Sequence, residues 1–216
     1  MKTNIAREKM IEQQVRAWDV FDPSVLEVLG KIPRETFVPR DFQSLAFADT
    51  EIPIGHGQSM MTPTVEGRLL QALELTGVEH VLEIGTGTGF VTACLAKLAH
   101  HVTSIDIHED FLKRSGENIA DVGLDNVTLK LMDAMQELPQ DRFDAIAVTG
   151  SIQLFDPRFV EILKTGGRLF VVVGESPVMD ARLVRRTDDN DRRSASLFET
   201  DLKSLVNATI PPQFTF

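Results

Sequence analysis

Apolar residues recur at helical spacing near the start of the chain. Met10, Ile11, Val15 and Trp18 form one stripe, and Val25, Leu26, Val28 and Leu29 form a second behind the helix-start signal Asp22-Pro23-Ser24. Two short helices are expected there. Between Ile32 and Gln58 the periodicity fails, and Pro33, Pro39, Pro53, Gly55 and Gly57 favour extended and turn backbone, so the stretch reads as irregular. Thr62-Pro63 then supplies an N-cap and a proline at the first helical position, opening a helix through Val65, Leu69, Leu70, Leu73 and Leu75.

Beyond Gly77 the period changes. Short β-rich runs alternate with helical ones: strand 80–84, helix 90–98, strand 101–105, helix 109–122, strand 127–132, strand 143–148, a helix around 157–163, and strand 168–173 after a Gly166-Gly167 turn. Such alternation implies parallel strands joined by right-handed crossovers. The runs 181–187 and 195–200 bracket the polar cluster Asp188-Asp189-Asn190-Asp191, which suits a solvated hairpin loop and an antiparallel edge. The expected class is α/β: a doubly wound, mostly parallel sheet of seven strands with an antiparallel C-terminal edge and an N-terminal helical appendage. Residues 1–76 form the appendage and 77–216 the core of one structural unit.

Composition narrows this. A chain of 216 residues, 43% hydrophobic and 25% charged, suits one well-buried core. The formal net charge of −10 repels phosphate backbones and anionic membranes, so no nucleic-acid or membrane partner is expected. The single cysteine, Cys94, closes no intrachain disulfide, and the first sixteen residues lack the apolar core of a signal peptide, so the expected location is the cytoplasm. The longest apolar run, 169–173, is strand-sized. No pattern sets the oligomeric state.

The chemistry gathers where strand meets helix. Glu83-Ile84-Gly85-Thr86-Gly87-Thr88-Gly89-Phe90 has glycine at alternate positions, which lets backbone lie against a ligand while the next helix offers free N–H groups. The dinucleotide fingerprint needs its third glycine where Phe90 stands, and the P-loop needs a Lys-Ser or Lys-Thr that is absent. Asp106 ends the second strand, where a carboxylate can grip both hydroxyls of a ribose, and Asp133 with Ala134 ends the third, where an acid can accept from an adenine amine. The glycines alone fit an unliganded tight turn, and either aspartate alone fits a solvated strand end; the succession counts against both. Glu83 has two open roles, holding a ligand amino group or accepting the turn's own N–H groups. Cys94 falls on an apolar helix face, so packing is its expected role. His56 has no second histidine at metal-ligand spacing, and no metal is expected.

The motif Glu83-x-Gly85-x-Gly87-x-Gly89 with Asp106 resembles class I S-adenosylmethionine-dependent methyltransferases, whose sheet is Rossmann-like. Glu12-Gln13-Gln14-Val15-Arg16, Ile32-Pro33-Arg34-Glu35 with Phe37-Val38-Pro39, Ile52-Pro53-Ile54-Gly55-x-Gly57-Gln58, Val148-Thr149, and Leu163-Lys164-x-Gly166-Gly167-Arg168-Leu169 are similar to protein-L-isoaspartate O-methyltransferases, over about residues 10–175. The resemblance implies methyl transfer from S-adenosyl-L-methionine to an isoaspartyl carboxylate in a peptide or protein, leaving S-adenosyl-L-homocysteine. It implies a cofactor site of Glu83, Gly85, Thr86, Gly87, Gly89, Asp106, Ile107, Asp133, Ala134 and Thr149. Gln58, Ser59, Met61 and Thr62 would face the substrate, Ser59 and Thr62 supplying the hydroxyls nearest the chemistry, with Thr149 and Ser151 on the opposite wall. One departure stands out. The family usually places a serine beside the substrate carboxylate where this chain has Met61, and a thioether donates no hydrogen bond. Two other readings therefore stay open: a methyltransferase with a different, small-molecule acceptor, and a cofactor-binding protein without catalysis.

Overall fold

The computed structural model describes residues 2–188 and 191–211; Asp189 and Asn190 of the expected hairpin loop lie outside them. Helix α1 (Lys2–Met10) runs on through a π turn (Ile11–Val15) and a 3-10 turn (Arg16–Trp18), ending at Asp19 with φ 61°. Met10, Ile11 and Val15 are buried as their spacing predicts, whereas Trp18 falls in the closing turn and is half-exposed. Helix α2 (Pro23–Lys31) starts at Asp22, whose side chain accepts from the Ser24 and Val25 N–H groups.

The stretch expected to be irregular has more structure than its punctuation suggests. It holds the short helix α3 (Arg34–Phe37), a 3-10 stretch (Arg40–Leu45) and an antiparallel hairpin of β1 (Ile52–Gly55) and β2 (Gln58–Met60). Gly55, His56 and Gly57 all take positive φ at the hairpin tip, while Ile52 and Ile54 turn inward on alternate positions. Turn chemistry that argued against regular structure is what closes this strand pair. Helix α4 (Pro63–Ala72) follows, capped by Thr62.

The main sheet has seven strands in the order β5-β4-β3-β6-β7-β8-β9, with β3 (His80–Ile84), β4 (His101–Asp106), β5 (Val127–Leu131), β6 (Phe143–Ile152) and β7 (Leu163–Glu175) parallel, and β8 (Val178–Arg186) and β9 (Arg192–Thr200) antiparallel. Helices α5 (Phe90–Leu98), α6 (Glu109–Asp121) and α7 (Arg158–Glu161) complete the fold. Leu82, Ile84, Ile146, Val148, Leu169 and Val171 pack on one face of the sheet, and Val81, Ala145, Ala147, Phe170 and Val172 join Met10, Val15 and Leu29 on the other. Cys94 is buried in that second core, and burial pushes its thiol up, in keeping with a packing role.

Two boundaries depart from expectation. Helix α7 is a single turn and β7 begins at Leu163, so Gly166-Gly167 kinks the strand between the Leu163–Phe143 and Arg168–Ala145 pairings instead of preceding it. Strand β6 continues through Ile152, with its register shifting between Ala147 and Ser151. Strand order reverses at β3 and β6, and the carboxyl ends there open the crevice where sheets of this kind bind ligands. Among the described residues no helix is long and apolar enough to cross a membrane.

Candidate functional site

Strand β3 delivers the chain into the glycine turn. Gly85 has φ 101°, and a Cβ there would lie 2.4 Å from Thr149 Oγ1; at Gly89, with φ 86°, it would lie 2.8 Å from Ser115 Cβ. Only glycine fits either place. Thr149 Oγ1 donates to the Gly85 carbonyl at 2.6 Å, stitching β6 to the turn. Asp106 Oδ2 accepts from the Gly87 N–H and Oδ1 from the His108 N–H, both at 2.9 Å, so the carboxylate holds the turn in shape and keeps unused lone pairs.

Of the two roles expected of Glu83, the hydrogen bonds do not show the one toward the glycine turn. Its Oε2 accepts from the Ser104 hydroxyl at 2.6 Å and from the Thr92 hydroxyl, not from the glycine turn. Thr86 Oγ1 extends the chain to Ser104 at 2.6 Å. Glu83 Oε1 is buried and has no protein partner. The residue borders a small cavity shared with Thr86, Thr88 and Met61. Burial pushes the Glu83 carboxyl up to about 8, overriding the two hydroxyls that favour its charge, and Asp106 adds to the rise. Because the folded pKa exceeds the ordinary 4.5, the stability Glu83 contributes is complete below that value and is lost as pH rises through about 8. The cofactor-free protein should therefore lose stability with a slope of up to roughly 1.4 kcal/mol per pH unit in that window. Glu83→Gln should flatten this part of the profile, which thermal melts from pH 5 to 9 would read directly; an unchanged slope would contradict the assignment.

The main cavity lies over the crevice. Gly85, Gly87, Asp106, Ile107, Asp133, Ala134 and Thr149, all expected at the cofactor site, line it. Thr86 and Glu83 border the smaller cavity instead, and Gly89 acts behind the turn through its contact with Ser115. Asp133 accepts from the Met135 N–H at 2.9 Å and from Gln136 Nε2 and Asn207 Nδ2 at 2.8 Å. The β1–β2 hairpin forms one wall of the cavity, with Ile54, Gln58 and Ser59.

On the acceptor side most nominated groups are already engaged. Ser59 Oγ donates to Glu51 Oε2 at 2.7 Å, and Gln58 Nε2 donates to the Ser204 carbonyl at 3.3 Å. Met61 is buried, and its carbonyl accepts from Arg34. Two expectations are corrected. Thr62 caps α4 and pairs with Thr64 Oγ1 at 2.9 Å, away from both cavities. Ser151 is 0% exposed and its hydroxyl donates to the Leu202 carbonyl at 2.9 Å, so it pins the C-terminal segment and does not form a wall. A donor next to the site in sequence is consumed inside the fold when backbone carbonyls approach it.

Sequence reasoning missed that C-terminal segment. Residues 201–208 return across β6, where the Ser151 N–H donates to the Lys203 carbonyl and the Leu205 N–H to the Ser151 carbonyl, each at 2.9 Å, placing Leu205 and Val206 on the main cavity. It also missed the partners of His56, whose ring stacks on His108 at 3.9 Å while Nε2 lies 3.0 Å from Asp110 Oδ1. His56, His108 and Asp110 bring metal-capable atoms within 4.8 Å of one another, a grouping that spacing along the chain does not disclose. Their contacts latch the hairpin tip to the start of α6, beside His108 and Phe111 on the cavity rim.

Comparison with known proteins places these features. The family model for protein-L-isoaspartate(D-aspartate) O-methyltransferase matches residues 5–207. A protein-L-isoaspartate O-methyltransferase of Methanoculleus marisnigri is 37% identical over 182 residues, covering 83% of each chain. Protein-L-isoaspartate O-methyltransferase 1 of Rhodopseudomonas palustris is 35% identical over 218 residues, covering 96% of this chain and 87% of the relative. A Plasmodium falciparum structure described as a protein-L-isoaspartate O-methyltransferase, in complex with S-adenosyl-L-homocysteine, shares the fold with a TM-score of 0.79 at 21% identity, over 92% of this chain and 97% of that one. The chain belongs to the protein-L-isoaspartate(D-aspartate) O-methyltransferase family.

Proposed function

We infer that the protein transfers a methyl group from S-adenosyl-L-methionine to the α-carboxylate of isoaspartyl residues in peptides or proteins, a repair reaction. The observation that carries this reading is the junction of two spaces. Thr149, Gln58 and Ser59 border both the main cavity and a narrow neck that also touches Glu51, Met61 and Lys203. A donor in the first can meet an acceptor in the second. The buried, unpartnered Glu83 Oε1 supports the fit of the cofactor, because an ammonium group would satisfy it. In this reading Asp106 takes the ribose, Asp133, Ala134 and Ile107 the adenine, and Gly85, Thr86, Gly87, Gly89 and Thr149 shape the cleft. Gln58, Ser59 and Met61 face the acceptor. Residues 1–76 serve the acceptor side and 77–216 the cofactor. The acidic net charge and the single free cysteine suit a cytoplasmic enzyme without a nucleic-acid partner.

The cofactor supplies, when bound, a methyl group made electrophilic by a sulfonium. An acceptor carboxylate is already nucleophilic at neutral pH, so one of its oxygens forms the new O–CH₃ bond while the S–CH₃ bond breaks and its electron pair stays on sulfur. No proton moves. The chain's task is alignment and exclusion of water: the hairpin and residues 205–206 cover the crevice, and the Thr149 contact keeps the turn rigid. Incubating the protein with an isoaspartyl peptide and methyl-labelled cofactor should give base-labile methyl ester. No turnover by protein that demonstrably binds S-adenosylhomocysteine would reject this activity. Met61 at the position of the family's serine favours, as second reading, a different and more apolar acceptor; methyl transfer to a small molecule but not to peptide would select it, and transfer to neither would leave a binding protein.

A further inference from the structure

Among the described side chains nominated for the acceptor side there is no hydroxyl free to donate and no neutralising charge where a carboxylate must sit; only the second N–H of the Gln58 amide is uncommitted. Ser59 is held by Glu51, the Gln58 amide by Ser204, Thr62 by its helix, Ser151 by Leu202, and the Thr149 hydroxyl by Gly85. Met61 has none to offer. Burying an anion in such a neck without a counter-charge is strongly unfavourable.

One cation borders this space. Lys203, which residue numbering places 54 positions beyond Thr149, lines both the neck and the outer groove that continues from it past Glu175, Ser176 and Asp201. Its backbone is fixed by the Ser151 N–H, while its side chain is exposed and makes no ion pair or hydrogen bond among the described residues. Glu51 borders the neck too, a carboxylate whose Oε2 accepts from Ser59, and among the described residues it makes no ion pair with Lys203. Together the groups leave an unpaired ammonium on the route an acceptor takes to the methyl donor.

We propose that Lys203 anchors the carboxylate of the methyl acceptor, supplying by charge what the family's serine supplies by its hydroxyl and Met61 cannot. The inference rests on the isoaspartyl reading above. It gives the site a direction: the acceptor carboxylate enters charged and is attracted, and the methyl ester leaves neutral and is not. Both ends of the anchor are set by tertiary structure, because only the return of residues 201–208 across β6 brings Lys203 to the neck.

Steady-state kinetics on an isoaspartyl peptide at saturating cofactor test this, with Lys203→Met, Lys203→Arg and a series of salt concentrations. Lys203→Met should raise KM roughly tenfold, the weight of one charged contact, with kcat within about twofold and S-adenosylhomocysteine affinity unchanged. Lys203→Arg should restore most of the loss. Wild-type KM should rise with salt as screening weakens the attraction, and the rise should flatten in Lys203→Met. A KM within about twofold of wild type, or an equal fall in cofactor affinity, overturns the role of Lys203 while leaving the methyltransferase intact. Wild-type protein that turns over no isoaspartyl peptide overturns the underlying reading and the anchor with it.

Discussion

Replacing Asp106 with alanine should weaken S-adenosylhomocysteine binding by about two orders of magnitude in titration calorimetry, the weight of roughly 3 kcal/mol. The size follows from two jobs carried by one carboxylate. Its oxygens accept the Gly87 and His108 N–H groups at 2.9 Å and thereby hold the glycine turn against the β4–α6 loop. The same group lines the main cavity with lone pairs left for a ribose diol. Alanine removes both, leaving two N–H donors without their acceptor. Asp106→Asn separates the two effects: it keeps an acceptor for one N–H but loses the charge and one acceptor oxygen, so its affinity should fall between wild type and alanine. An affinity for alanine within about threefold of wild type would overturn the ribose assignment.

Arg34→Met should cost about 3–5 kcal/mol of stability, a fall in melting temperature on the order of 10 °C for a chain of this size. Arg34 is 0% and Glu66 1% exposed, with Nε and Nη2 donating to the carboxylate at 2.9 and 3.0 Å. Arg34 also donates to the Ala46 and Met61 carbonyls at 2.8 Å, so one side chain ties α3, α4 and the loop at Met61 together. Burial pushes the Glu66 carboxyl up and the Arg34 guanidinium pulls against it. Without Arg34 the buried carboxylate must protonate or stay uncompensated, and two carbonyls lose their donor. Glu66→Gln should be comparably harmful because it strands the cation. The double variant Arg34→Met with Glu66→Leu should recover much of the loss, since an apolar pair of similar volume carries no desolvation cost. A single-variant loss below about 1 kcal/mol in denaturant melts would show that the pair does not hold the loop.

These two residues illustrate how unevenly the site is written along the chain. Asp106 is legible because it closes a strand at a set distance from the glycine turn, and a parallel sheet puts every strand's carboxyl end on one edge. Asp133 and Ala134 follow the same rule. Glu83 is legible as important but not in its role: that its partners are Thr92 and Ser104, and that one oxygen is left over, depends on α5 and β4 packing against it. Ser151 and Thr62 have the right chemistry in the right neighbourhood, yet neither is available. A hydroxyl is claimed by whichever backbone group comes within reach, which spacing does not encode.

The alternation of period-2 and period-3.6 runs, the alternate glycines and the strand-end acids determined the doubly wound sheet of seven strands and the location of the crevice at the strands' carboxyl ends, because each depends on contacts within one βα unit or between neighbouring strands. The His56–His108 latch, the burial of Arg34 against Glu66 and the arrival of Lys203 at the neck were decided only by tertiary structure. Each joins residues more than thirty positions apart through a contact whose cost and benefit exist only once the intervening chain has packed.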